Sequence, residues 1–381
     1  MQMLHDDLPW TYSPVIANAP MGGTAGPSLA IAVTRAGGLG LMGLVPSTST
    51  LDTWLTEVDD SFSSEPLALQ PQQDQKTKTS ADLPYLPVGI GFLLFLADLK
   101  QVIEALKRRS NSSKKPPALI WLFAASEPSI EAYTTWAMAI RDLYSSVGGY
   151  VPKIWIQVGG SATAAVDLVL SKAAPDALVV QGSDAGGHGM ERGASLFGLL
   201  PEIKDMLVEA SKSRQDFTMP HILASGGIVD ARGAFAALAL GAEGVVMGTR
   251  FLASPEAIVP HPEYTKRVLA ARDGTLNTVR AKVFDELRGP NIWPVEYDGR
   301  ALVSRSWRER HEEGVPIETI RDGHREAVGK VDGGYGVESD RAVVWAGSAV
   351  GLVNETKAAA DVVNEVREGI KELSEGLRSR L

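Results

Sequence analysis

VIANAPMGGTAGPSLAIAVTRAGGLGLMGLV, residues 15–45, is the stretch whose reading decides the fold. Its opening run, Val15-Ile-Ala-Asn-Ala-Pro-Met-Gly-Gly23, reads as a buried strand that ends in a Pro-Met-Gly turn. Pro27 and Ser28 suit a helix start, Leu29 to Ala36 supply an apolar face, and Gly37-Gly38 stop it. Leu39-Gly-Leu-Met-Gly-Leu-Val45 is then a second short buried strand. Strand, helix and strand with short joints make a βαβ unit, the element of a parallel sheet.

The same rhythm recurs along the chain. Further strands are expected at Leu86–Phe92, Ala118–Phe123, Lys153–Val158, Ala177–Gln181, His221–Gly227 and Gly244–Thr249. A helix follows at Asp98–Arg108, and Asp230 caps an Ala-rich one. Eight units predict an α/β fold of the closed (β/α)8 TIM-barrel type over residues 1–253; an open dinucleotide-binding sheet would need a GxGxxG after the first strand, which is absent. The polar run from Ser61 to Ala81 predicts a long surface insertion. From 254 to 341 the rhythm gives way to charge and to Tyr264, Trp293, Tyr297 and Trp307, predicting a mostly helical second domain, inserted near the C-terminus as a substrate lid. Residues 342–381 return to the barrel, with Val362, Val363, Val366, Ile370, Leu373 and Leu377 at helical spacing.

Composition narrows the function. With 381 residues and 44% hydrophobic content the chain buries a large core, and a net charge of -9 disfavours nucleic acid or an anionic membrane as partner. No apolar run reaches spanning length and no basic, apolar leader opens the chain, so an intracellular, cytoplasmic protein is expected. Arg378-Ser-Arg-Leu381 is only loosely similar to a peroxisomal tripeptide. The assembly is left open, a homodimer among the options. Zero cysteines remove thiolate nucleophiles, Cys-ligated zinc and iron–sulfur clusters.

The chemistry is expected at the C-terminal strand ends, where barrels place their sites. After the sixth strand comes Gln181-Gly-Ser-Asp-Ala-Gly-Gly-His-Gly189, four glycines around a single titratable side chain, His188. A hydrogen-bonded loop histidine is the bland alternative. After the seventh and eighth strands, Ser225-Gly-Gly-Ile228 and Gly244-Val-Val-Met-Gly-Thr249 offer free amides, a hydroxyl and a helix start, which suits a phosphate dianion. No pair of histidines has metal-ligand spacing. His5, His261, His311 and His324 stand in polar surroundings and are expected in solvent, and His221, which opens a strand, in packing.

Asn18-Ala-Pro-Met-Gly-Gly, Ala36-Gly-Gly-Leu-Gly, the Gln181–Gly189 loop, Ala224-Ser-Gly-Gly-Ile, Met247-Gly-Thr-Arg-Phe and Trp345-Ala-Gly-Ser-Ala-Val-Gly-Leu352 together resemble the nitronate monooxygenases, formerly 2-nitropropane dioxygenases. The resemblance covers nearly the whole chain. It implies non-covalent FMN and oxidation of nitroalkanes or nitronates by O2. Gly226, Gly227, Met247, Gly248 and Thr249 would hold the FMN phosphate; Ala19, Pro20, Met21 and Gly22 would lie against the ring; Gln181 and Gly186 would touch the flavin. His188 takes the place of the family's catalytic histidine. Two positions depart from the pattern: Asp184 stands where Glu is commoner and is read as a loop-shaping residue, and Gly91 stands where many bacterial members carry a flavin-contacting Asn. NAD(P)H-dependent flavin reductases for quinones or enoyl thioesters share the Ala-Gly-Gly-His loop and are the competing reading, with a non-catalytic FMN-binding barrel behind them. An inosine-monophosphate-dehydrogenase-like barrel is excluded, since it needs a cysteine.

Overall fold

A computed structural model describes residues 4–43, 48–69, 78–125, 130–214 and 217–379. Eight parallel strands form the barrel: β1 (Val15–Asn18), β2 (Gly40–Gly43), β3 (Leu86–Leu93), β4 (Pro117–Phe123), β5 (Lys153–Val158), β6 (Ala177–Gln181), β8 (His221–Ser225) and β9 (Gly244–Met247). They follow one another in the order β1-β9-β8-β6-β5-β4-β3-β2. A parallel bridge between Ala17 and Leu39 joins the two ends, so the sheet closes.

Each strand is a near-continuous apolar run because both of its faces are covered. Alternate residues still go to different cores. Ile154 and Ile156 of β5 and Ile222 and Ala224 of β8 pack outward against the helices. Trp155 and Leu223, between them, fill the barrel with Trp121, Leu41 and Val179. The bottom is stoppered by the N-terminal segment, whose Leu4, Leu8 and Trp10 join that inner core. Charge ties the stopper down: Asp7 lies 3.2 Å from Lys153 Nζ and 3.7 Å from His221 Nε2, and His221 Nδ1 lies 2.7 Å from Glu243. His221, expected in packing, is an ion-pair residue.

The polar run at Ser61 is not wholly an insertion. A helix at Thr48–Ser64 runs into it and buries Leu51, Leu55, Val58 and Phe62, spaced by three and four. Residues 70–77 of that run, and 44–45 of the expected second strand, lie outside the described residues, as does the end of the C-terminal tripeptide.

Segment 254–341 contains helices at Pro262–Ala270, Arg305–His311 and Ile317–Val328. It also supplies two strands, β10 (Thr278–Ala281) and β11 (Tyr297–Leu302). They form an antiparallel sheet with β7 (Gly187–Met190), which the sequence presents as loop. Helix Ala359–Arg378 returns to the barrel against helices Pro27–Arg35 and Ala231–Ala239. Val362, Val363, Val366 and Ile370 are buried on it, while Leu373 and Leu377 face solvent. Arg367 fastens it by donating to the carbonyls of Ala36 and Gly37.

Candidate active site

The C-terminal ends of the barrel strands and the 254–353 region enclose a cavity of about 510 Å³. Ten of the residues singled out in sequence line it together with His188: Ala19, Pro20, Met21, Gly22, Gln181, Gly186, Gly226, Gly227, Gly248 and Thr249. Met247 does not. Its side chain is fully buried in the outer core, and only its carbonyl reaches the site wall, accepting from Ala19 N at 2.9 Å.

The two loops expected to hold a phosphate meet at neighbouring strand ends. Gly226 and Gly227 have φ of +98° and +73°, conformations that an L side chain resists. A Cβ on Gly226 would lie 2.8 Å from Gly182 O, and one on Gly227 2.8 Å from Asp184 Cβ. The amides of Gly226, Gly227, Gly248 and Thr249 donate to no acceptor among the described residues, which suits a dianion. The helix end contributes less than expected. Asp230 caps it, its Oδ1 taking the amides of Arg232 and Gly233 at 3.0 and 3.2 Å.

The glycine-rich loop is clasped by the C-terminal motif. Gly347 N donates to Thr249 Oγ1 at 2.9 Å, Ser348 N to Asp184 O at 3.0 Å and Ser348 Oγ to Asp184 Oδ1 at 2.9 Å. A Cβ on Gly186 would sit 2.3 Å from Gly347 N, so the two backbones touch there. Asp184 therefore shapes the loop. Gly91 is also explained: a Cβ would lie 2.7 Å from Pro20 Cβ, leaving no room for Asn beside the proline that lines the cavity.

His188 stands on β7, opposite Gly299 of β11. A Cβ at Gly299 would be 2.3 Å from the Trp345 ring, so glycine lets that indole come close. Trp293 stacks on the imidazole, centroids 3.7 Å apart and planes 10° apart, and Trp345 tilts against it at 4.6 Å. Gln181 Nε2 donates to the His188 carbonyl at 3.1 Å. Asp285 Oδ1 lies 2.7 Å from His188 Nε2, with the two side chains only 8% and 14% exposed. The rim carries Arg288, which forms no ion pair among the described residues.

Sequence reasoning missed Asp285; Trp293 and Trp345, for which pocket lining was one of two readings beside packing, line the cavity. No local motif marks Asp285, which is 97 residues from its partner. It also missed the cavity side chains Trp121 and Gln157, joined by a hydrogen bond from Trp121 Nε1 to Gln157 Oε1 at 3.2 Å. His324, expected in solvent, is buried and pairs through Nδ1 with Arg341 O at 3.1 Å; burial lowers its pKa.

Comparison with known proteins gives a consistent picture. A model of the family described as nitronate monooxygenase matches residues 153–369. The chain is 39% identical to nitronate monooxygenase npaC of Metarhizium robertsii, covering 96% of this chain and 94% of that one. Identity to a nitronate monooxygenase of Neurospora crassa is 35%, covering 97% and 92%. Among solved structures, FabK from Thermotoga maritima superposes with a TM-score of 0.68 over all of both chains at 23% identity, a likeness of fold. The family match spans more than half of the chain and the two fungal relatives nearly all of it, and the chain belongs to the nitronate monooxygenase family of flavin oxidoreductases.

Proposed function

We propose that this enzyme oxidises alkyl nitronates and nitroalkanes with O2 to a carbonyl compound and nitrite, using FMN, with His188 as general base. The observation that carries this reading is the placement of His188 in the wall of the same cavity as the unpaired loop amides. Gly226, Gly227, Gly248 and Thr249 would hold the phosphate through those amides. Ala19, Pro20, Met21 and Gly22 would flank the ring, with Gln181 and Gly186 beside it. When bound, FMN supplies an electron acceptor that reacts with O2.

The protein's own part is proton transfer and enclosure. His188 takes the α-proton of a neutral nitroalkane, a task for an imidazole near neutral pH. Trp293 and Arg288 come from segment 254–341 and wall the cavity, which supports that segment as a substrate lid. Arg288 adds positive charge to the rim, favourable to an anionic nitronate.

Replacing His188 with Asn tests the assignment. FMN should remain bound while turnover of neutral nitroalkane falls by about 10²–10⁴. Preformed nitronate, which needs no proton removed, should keep more of its rate. Unchanged nitroalkane turnover would end the general-base assignment.

A further inference from the structure

We propose that Asp285 is the positioning residue of His188, fixing the imidazole proton on Nε2 so that Nδ1 is the atom that takes the substrate's α-proton. The proposal rests on the reading of His188 as base. An ionised carboxylate only accepts hydrogen bonds, so the 2.7 Å contact from Asp285 Oδ1 requires the hydrogen on Nε2. A neutral imidazole then has its lone pair on Nδ1. That nitrogen makes no hydrogen bond among the described residues, and the His188 side chain keeps 14% of its surface open. Trp293 and Trp345 hold the ring plane, so the two nitrogens do not exchange places freely.

Packing alone does not account for Asp285. Its side chain is only 8% exposed, and Oδ2 is buried with no hydrogen-bond partner. A carboxylate so placed is retained at a cost unless it serves another group. Three cations on or beside the same sheet are committed elsewhere, Arg280 to Asp298, Lys282 to Glu191 and the Val295 carbonyl, and Arg300 to Thr278 and the Ser183 carbonyl, and Arg288 forms no ion pair with Asp285. His188 is therefore the one hydrogen-bonding partner of the Asp285 side chain among the described residues.

The step balances. The α-C–H bond of the nitroalkane breaks, the proton forms an N–H bond at Nδ1, and the electron pair passes into the nitro group to give the nitronate. The imidazolium left behind still donates from Nε2 to Asp285, whose negative charge offsets the new positive one. Because Asp285 comes from segment 254–341 and His188 from the barrel's loop, the base is complete only with that segment in place.

The test uses the flavin-loaded enzyme with nitroethane and with preformed ethylnitronate, and ¹⁵N NMR of the His188 ring. In Asp285→Asn, kcat/KM for nitroethane should fall by at least about tenfold. Ethylnitronate should lose much less, flavin content should hold, and the Nδ1 signal should move toward a protonated or mixed tautomer. Asp285→Glu, which keeps the carboxylate, should hold the nitroethane-to-ethylnitronate ratio nearer to native. Equal losses on both substrates with the tautomer unchanged, or native behaviour of Asp285→Asn, would overturn the proposal. If His188→Asn abolishes nitroethane turnover while Asp285→Asn is native, only the role of Asp285 falls; if His188→Asn is itself native, both readings fall.

Discussion

Two glycine substitutions separate the cost of bending the phosphate loop from the cost of blocking the flavin. In Gly226→Ala the new methyl meets Gly182 O at 2.8 Å and Ala185 Cβ at 3.1 Å, at a φ of +98°. Holding a non-glycine residue in such a conformation costs about 1–3 kcal/mol. If the apo loop relaxes to escape the strain, that cost returns when FMN is bound, weakening affinity by roughly 5- to 150-fold. If the loop is held, the same amount is lost from the stability of the apoprotein. Gly22→Ala differs, because its methyl meets no protein atom within 4 Å although Gly22 lines the cavity. Apoprotein stability should then change by less than about 0.5 kcal/mol, while affinity falls because the methyl enters the space proposed for the ring. The assay strips the flavin, titrates FMN back by fluorescence quenching, and measures denaturant unfolding of each apoprotein. Gly226→Ala with native affinity and native stability would refute the strained cradle, and Gly22→Ala with native affinity would remove Gly22 from the ring wall.

The bottom of the barrel gives a pH prediction. Burial pulls the His221 pKa down, but the hydrogen bonds and charges of Asp7 and Glu243 outweigh it and push it up to about 9, against an ordinary 6.5. Its contribution is thus complete below pH 6.5 and lost as pH rises through about 9. Over that window the native protein should lose on the order of 3 kcal/mol more than His221→Gln; parallel stability curves would refute the assignment. At the site, Gly91→Asn should displace Pro20, whose Cβ and Cγ lie 2.7 and 3.0 Å from the added Cβ, lowering both the melting temperature and FMN affinity. A gain in affinity would show that the loop yields.

The barrel was legible because its strands are apolar runs ended by glycine, a local pattern. The cavity loops were legible for the same reason: Gly186, Gly226 and Gly227 mark places where backbone approaches backbone. Helix Thr48–Ser64 was hidden by its Thr, Ser and Asp content, although Leu51, Leu55, Val58 and Phe62 carried the helical period. His324 could have been found in the same way, since it shares a helix face with buried Ile320 and Ala327. β7 was not readable. Gly187, His188 and Gly189 are weak strand formers, and pairing with β11, over a hundred residues away, makes them a strand. Asp285 and Trp293 share that limit, because their function lies in contacts formed only by tertiary structure.

The central claim is most directly tested by oxygen consumption of the purified flavoprotein with nitroethane and ethylnitronate, beside anaerobic mixing with NADH and NADPH. Oxygen uptake with nitrite release, and a flavin left oxidised by either pyridine nucleotide, is the predicted result. Rapid bleaching of the flavin by NADH or NADPH with no nitronate turnover would contradict it and make this barrel a reductase.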